Sequence, residues 1–256
     1  MGAVTGTVIR LKNVSIGSSP LGMVHDENYS VPNGKLLFQT KTNLAGSQDI
    51  LGNTILTEVG TPTYAAGYVQ GTGTTAYLKS NFVRDTTKSF ALCVVAKRDA
   101  TTGLQFFAGD YHNNTDPAHT YDGGCGIFAS GVNGLRPTLF LDTGGNLFSS
   151  NIPAALATLT TGEWHFACLT VDTANKVAKF HVPELNLIWQ LSYSTALKTL
   201  NATEYFTLGG NAGGASGDPA FVSFASFHER AFTNDDVNRQ YQNAKQYGAT
   251  KGITVK

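Results

Sequence analysis

The feature that most constrains this chain is a train of short apolar runs cut by glycine and asparagine turns. Residues 35–40 read KLLFQT, 90–97 FALCVVAK, 104–108 LQFFA, 126–129 GIFA and 137–141 PTLFL. Then come 165–171 HFACLTV, 177–182 VAKFHV, 187–191 LIWQL, 205–208 YFTL and 221–227 FVSFASF. Between them stand Gly71-Thr-Gly73, Gly123-Gly124, Gly144-Gly145-Asn146 and Gly213-Gly214. Short strands at this spacing predict an all-β, antiparallel sandwich or barrel. The run 90–97 is almost continuously apolar, which predicts a strand buried on both faces.

A helix signal stands out near the C-terminus. Thr233 precedes Asn234, Asp235 and Asp236, a capping box with Asp in place of Glu, and the acids suit a helix N-terminus. Val237, Tyr241, Ala244 and Tyr247 share one face of a helix over 234–247, and Gly248 is the expected stop. Phe90, Leu92, Val94, Phe166, Cys168, Leu169, Phe180, Phe224 and Phe227 are expected inside. Trp189 alternates with Leu187 and Leu191 and is also expected in the core. Trp164 is expected beneath a sheet, and His228 at a polar rim.

Residues 1–36 differ in texture. SIGSSPLG and SVPNGK break them into short pieces, and TVIRLKNV at 7–14 is a strand pattern with no evident partner. They are expected to form an arm that pairs with a neighbour's sheet edge, leaving 37–256 as the sandwich domain.

Charge narrows the function classes. Charged residues make up 14% of the chain, against about a quarter ordinarily, and the two signs balance at 18 each. With no run of Lys or Arg, the composition argues against nucleic acid as a partner. A surface of Thr, Ser, Asn, Gln and Gly suits ordered assemblies and sugar-binding faces, where long charged side chains would lose entropy. Cys93, Cys125 and Cys168 form no C-x-x-C pair, which argues against a disulfide framework and a cysteine zinc site; apolar flanks predict buried thiols. The start, MGAVTGTVIRLKNVSIG, lacks an apolar export core, and 18 consecutive apolar residues occur nowhere. Synthesis in a cytoplasm without membrane insertion is therefore expected.

Four segments in order carry a resemblance. They are Asp49-Ile-Leu-Gly-Asn53; Tyr77-Leu-Lys79 followed by KSFALCVVAK at 88–97; Gly162-Glu-Trp-His165 followed by FACLTVD; and Thr207-Leu-Gly-Gly210 followed by 221–232 and the capped helix. Over about residues 37–247 the chain resembles the laminin G-like, concanavalin A-like jelly-roll family. The resemblance implies a two-sheet jelly-roll sandwich. Where the family carries acids before its last strand and an Asp-Gly at a strand turn, this chain has Ser223, Phe224, Val182 and Pro183. The family's calcium site is therefore not expected to persist.

The richest candidate site is the loop 109–124, GDYHNNTDPAHTYDGG. It gathers Asp110, Tyr111, His112, Asn113, Asn114, Asp116, His119, Tyr121 and Asp122. Aromatic faces and amide or carboxylate groups suit sugar or partner contact. Asp110, Asp116 and Asp122 could hold calcium, which takes six to eight oxygens, and the histidines with Asp could suit a transition metal. The alternative is a polar hairpin tip whose Asn and Asp satisfy their own backbone. No metal or other cofactor is expected. No E-x-D-x-x-E strand motif, of the kind that hydrolyses glucans on related sandwiches, and no G-x-S-x-G elbow occurs. The chain is thus expected to be non-catalytic. The leading expectation is a structural protein of a virion, made in the host cytoplasm: a bacteriophage tail or neck fibre or capsid decoration. Its partners would be other virion proteins, itself (a trimer being plausible) and host surface polysaccharide. The alternatives are a soluble lectin and a glycan hydrolase with an unrecognised site.

Overall fold

A computed structural model describes residues 34–40, 43–45, 47, 49, 51–99, 103–112, 122–130, 134–211 and 218–256. The expected arm strand at 7–14 lies outside the described residues. In chain order the strands are β1 (Gly34–Gln39), β2 (Leu56–Val59), β3 (Thr63–Ala65), β4 (Tyr68–Thr72), β5 (Tyr77–Ser80), β6 (Phe90–Arg98) and β7 (Leu104–Gly109). They continue with β8 (Cys125–Ser130), β9 (Gly134–Leu139), β10 (Trp164–Asp172), β11 (Val177–Val182), β12 (Leu187–Ser192), β13 (Thr207–Leu208) and β14 (Pro219–His228), followed by helix α1 (Asn234–Thr250). One sheet runs β12-β11-β10-β6-β14-β4-β3, with β1 also on β14; the other runs β2-β5-β13-β7-β8-β9. Pairings within both sheets are antiparallel, so the all-β sandwich with one C-terminal helix is the observed architecture. Among the described residues no helix is long and apolar enough to cross a membrane.

The interior has two layers, and β6 explains both. Phe90, Leu92 and Val94 face the second sheet, where Phe107, Ile127 and Leu208 meet them. Ala91, Cys93 and Val95 face the opposite way, into a second core under α1 built with Leu37, Phe166, Cys168, Val237, Ala244 and Tyr247. Burial on both faces follows from α1 covering the sheet's outer side. Opposed across β6 and β10, the Cys93 and Cys168 sulfurs lie 3.0 Å apart, and all three cysteines are buried thiols.

The nine residues expected inside are all buried, but in two layers rather than one. Phe166, Cys168 and Phe224 are buried, but beneath the helix rather than between the sheets. For Phe224 the cause is a register shift between Val222 and Phe224 on β14. The extra residue flips the alternation, so Val222 and Ala225 both point between the sheets while Phe224 points to α1. His228 is not at a rim: it is buried, with its ring 4.7 Å from Phe232 and Nε2 3.3 Å from Gln240. Trp164 is half-buried on the helix side, 5.5 Å from the Tyr68 ring. Trp189 does lie in the core, edge-on to Phe148 at 4.9 Å.

The domain boundary also moves. Leu36, Leu37 and Phe38 belong to a single strand, β1, paired along β14. A division after residue 36 would cut that strand, so Gly34, Lys35 and Leu36 belong to the sandwich. The turn carrying Asp49 locks it in place. The Asp49 carboxylate accepts from the backbone N–H groups of Leu37 (2.7 Å), Leu51 (3.1 Å), Asn53 (2.9 Å) and Thr54 (2.9 Å).

The helix cap forms as the sequence implies. Thr233 Oγ1 accepts from Asp236 N at 3.2 Å, and Asp236 Oδ2 accepts from Thr233 N at 2.9 Å. Arg230 Nη2 donates to Asp236 Oδ1 at 2.6 Å. Burial pushes the Asp236 carboxyl up, but these bonds outweigh it and hold the group down at about 2. Its contribution is therefore present above the ordinary aspartate range and fades as pH falls toward 2. Thr233→Ala should cost about 1 kcal/mol at neutral pH, with the gap from the parent narrowing in acid. Urea unfolding at both pH values checks this, and coincident midpoints at neutral pH would refute the cap. Gly248 does not stop the helix, which runs on to Thr250. A Cβ there would sit 2.8 Å from Val255 Cγ2 and 2.9 Å from Ile253 O, so this glycine lets the C-terminal segment pass against the helix.

Candidate functional site

The loop that follows β7 is anchored by buried charge. Just past the strand, Asp110 is 3% exposed. Arg84, from the connection between β5 and β6, donates from Nε to Oδ2 at 2.7 Å and from Nη2 to Oδ1 at 3.2 Å. Cys125 N donates to Oδ1 at 2.7 Å, and the Arg84 guanidinium lies 4.7 Å from the Phe90 ring centre. A bidentate pair with a backbone donor satisfies both carboxylate oxygens, which a buried charge requires. Gly124 makes room for it: its φ is +80°, and a Cβ there would meet Asp110 O at 2.2 Å.

One residue further out, Asn211 Nδ2 donates to Tyr111 O at 2.8 Å, and the Tyr111 ring stacks between Phe106 (6.2 Å) and Phe140 (5.7 Å). His112 and Gly123 then exchange backbone hydrogen bonds of 3.2 and 3.1 Å, closing the neck. The His112 ring is buried, with Nε2 3.2 Å from Glu204 Oε1. Two ionisable pairs on the floor, an aromatic stack on one side and a backbone bridge thus fix both ends of the loop.

This geometry reassigns some of the sequence candidates. Asp110 and His112 are foundations: their polar groups face Arg84 and Glu204, so neither is placed to meet a sugar or an ion. Asp110 in particular has no oxygen to spare for calcium. Tyr111 and Asp122 are half-buried at the neck. Asn113, Asn114, Asp116, His119 and Tyr121 lie outside the described residues. Among the described residues no three His, Cys, Asp or Glu side chains gather as a metal site would need. Arg84 and Glu204 were not singled out from sequence. Each comes from a remote loop, and no local pattern marks it.

Other described acids are likewise engaged. Glu184 meets His165 Nδ1 at 2.6 Å, while the other ring nitrogen lies 2.9 Å from Thr160 O. Burial works against charge on His165, but Glu184 and Thr160 outweigh it and raise its pKa. Asp236 is held by Arg230.

No family model matches the chain, and no curated protein matches its sequence. Solved structures do match in shape. The binding domain of botulinum neurotoxin serotype D aligns with a TM-score of 0.60 at 12% identity, over 82% of this chain and 52% of that one. The receptor binding domain of the botulinum neurotoxin C/D mosaic serotype gives 0.59 at 12%, over 82% and 51%. Trypanosoma rangeli sialidase in complex with sialic acid gives 0.59 at 12%, over 85% and 34%. The chain spans about half the length of these toxin domains and about a third of the sialidase. At such identities the likeness defines the fold: an antiparallel, two-sheet jelly-roll sandwich.

Proposed function

We propose that this chain is a non-catalytic carbohydrate-binding sandwich that works as a structural component of a viral particle and meets host surface polysaccharide through the 109–124 loop. The observation that carries the reading is the foundation of that loop. Burying Arg84 with Asp110 and His112 with Glu204 is an expensive way to shape a hairpin neck, and it presents the loop from a fixed base, which lowers the entropy lost on binding. The charge-poor surface supports the same reading, as does the kind of protein among its structural neighbours: receptor-binding domains of toxins and a sialidase seen with sialic acid. The engagement of Asp110 and Asp236 with arginines, and of Glu184 and Glu204 with histidines, favours binding over glycoside hydrolysis, which needs two carboxyl groups free to face one bond.

The test is an array of bacterial envelope polysaccharides probed with the full chain, with reducing-sugar release followed in parallel. Saturable binding is expected to drop about tenfold or more in Asn114→Ala and Tyr121→Ala, equivalent to about 1.4 kcal/mol, with no sugar released. Failure to bind any polysaccharide overturns the carbohydrate reading. Sugar release restores the hydrolase alternative. Mass spectrometry of purified virions tests the particle role separately.

A further inference from the structure

On the outer face of the larger sheet, α1 packs over β6, β10 and β14, and its first turn lies beside β11 and the edge strand β12. Because Ala178, Phe180 and Val182 point into the core, Val177, Lys179 and His181 point outward. Register pairs Lys179 with Gln190 and His181 with Ile188, two consecutive outward steps along the sheet. A hollow lies at each step. One, of about 240 Å³, is bounded by Lys179, Gln190 and Phe232; the other, of about 190 Å³, by His181, Ile188 and the first turn of α1. The two hollows share no lining residue, but they stand beside successive outward positions of β11, Lys179 and His181, and so follow one another along the strand. The span from Val177 to His181 is roughly 13 Å at about 3.3 Å per residue.

Two features mark this groove as more than a crease. His181 is only 3% exposed, and its Nε2 is buried without a hydrogen-bond partner. A buried polar atom without a partner deserves a physical explanation, and a polar group entering the hollow beside it supplies one. Ile188 is 48% exposed, one of two large apolar side chains so exposed among the described residues, and it stands directly across from His181. Burial first, and Lys179 second, lower the His181 pKa to about 4, so the ring is neutral at physiological pH.

The lining selects the ligand. Its charged members, Asp172 and Lys179, are one of each sign. Asn186, Asn234 and Asn238 surround the His181 end, and Gln190 follows. Side-chain amides and a neutral imidazole both donate and accept, as a sugar hydroxyl does. An anion is disfavoured because the helix N-terminus beside the groove is already occupied by Asp236 and flanked by Asp235. A hard cation would need several oxygens, and Asp172 is bonded to Asn175. We infer that the groove is a carbohydrate site separate from the 109–124 loop, taking a short neutral oligosaccharide along β11. His181 and the amides of Asn186, Gln190 and Asn238 read its hydroxyls, and Ile188 packs against a ring face. The inference does not depend on the loop reading, since it uses the other sheet.

The experiment is a titration of the full, isotope-labelled chain with neutral oligosaccharides of glucose, mannose, galactose and N-acetylglucosamine, watched by NMR. The side-chain amide signals of Asn186, Gln190 and Asn238 should shift saturably with at least one probe. Asn238→Ala and Ile188→Ser, both at exposed positions, should weaken that binding about tenfold, as should His181→Phe. Tyr121→Ala should leave it unchanged, so failure here and failure of the loop reading are told apart. The inference is overturned if no probe moves these signals, if the shifts persist undiminished in Asn238→Ala and Ile188→Ser, or if an acidic oligosaccharide binds more tightly than every neutral one.

Discussion

Asp110→Ala should destabilise the protein by about 3–5 kcal/mol, because it strands the Arg84 guanidinium, whose side chain is 2% exposed, without its partner. It also removes the acceptor for Cys125 N, leaving a buried donor unpaired. Replacing both charges at once, as Arg84→Met with Asp110→Leu, should recover most of the loss, since apolar side chains of similar volume fill the space without a charge to desolvate. Urea unfolding of the parent, the single variant and the double variant gives the comparison. If Asp110→Ala falls within about 1 kcal/mol of the parent, a range typical of an exposed pair, the loop is not anchored as described. The double variant also probes function. Its sandwich should persist, and any loss of polysaccharide binding in it would report on how the neck is held rather than on general unfolding.

Truncation should produce the second large effect, and its position matters. Removing residues 1–30 should leave a folded sandwich, because β1 begins at Gly34. Removing residues 1–40 should prevent stable folding. That cut takes Leu36 and Phe38 from between the sheets and Leu37 from the helix layer, all at most 1% exposed. Each buried side chain of this kind is worth roughly 1.5–3 kcal/mol, a total comparable with the whole stability of many domains. It also removes Thr40, which donates from Oγ1 to Val222 O at 3.1 Å and accepts from the Tyr247 hydroxyl, tying β1 to both β14 and α1. Circular dichroism and thermal unfolding distinguish the two truncations. A folded protein lacking residues 1–40 would show that β1 is dispensable. Size measurement on the shorter truncation tests the arm: under the particle reading it folds but no longer assembles.

These two results bear on how a binding sandwich of this kind would be built. The 109–124 loop and the β11 groove sit on different sheets and are held differently. The loop is fixed from below by pairs whose second members, Arg84 and Glu204, lie outside its own sequence. The groove exists because α1 covers part of one sheet and stops short of its edge. Ligand contact at one site therefore need not alter the other, and variants at each can be read independently.

Much of the scaffold is local in origin. Alternation of apolar residues, glycine turns and the Thr233-to-Asp236 box depend on neighbours a few positions apart, so the strands, the helix start and the buried character of 90–97 were legible in the amino-acid order. Which way a side chain points is not local. The shift near Ser223 inverted the facing of Phe224, and α1, by covering the outer face of the sheet, turned the side of β10 that carries Phe166 and Cys168 into a second core. The candidate site divides the same way. The sequence marked the loop by its Asp, His, Asn and Tyr, but an aspartate in a ligand site and one in a buried ion pair read identically as letters. Only the arrival of Arg84 at Asp110 and of Glu204 at His112, each from a distant loop, decided the matter, because a charge is stable in a low-dielectric interior only where folding brings its partner within hydrogen-bond reach.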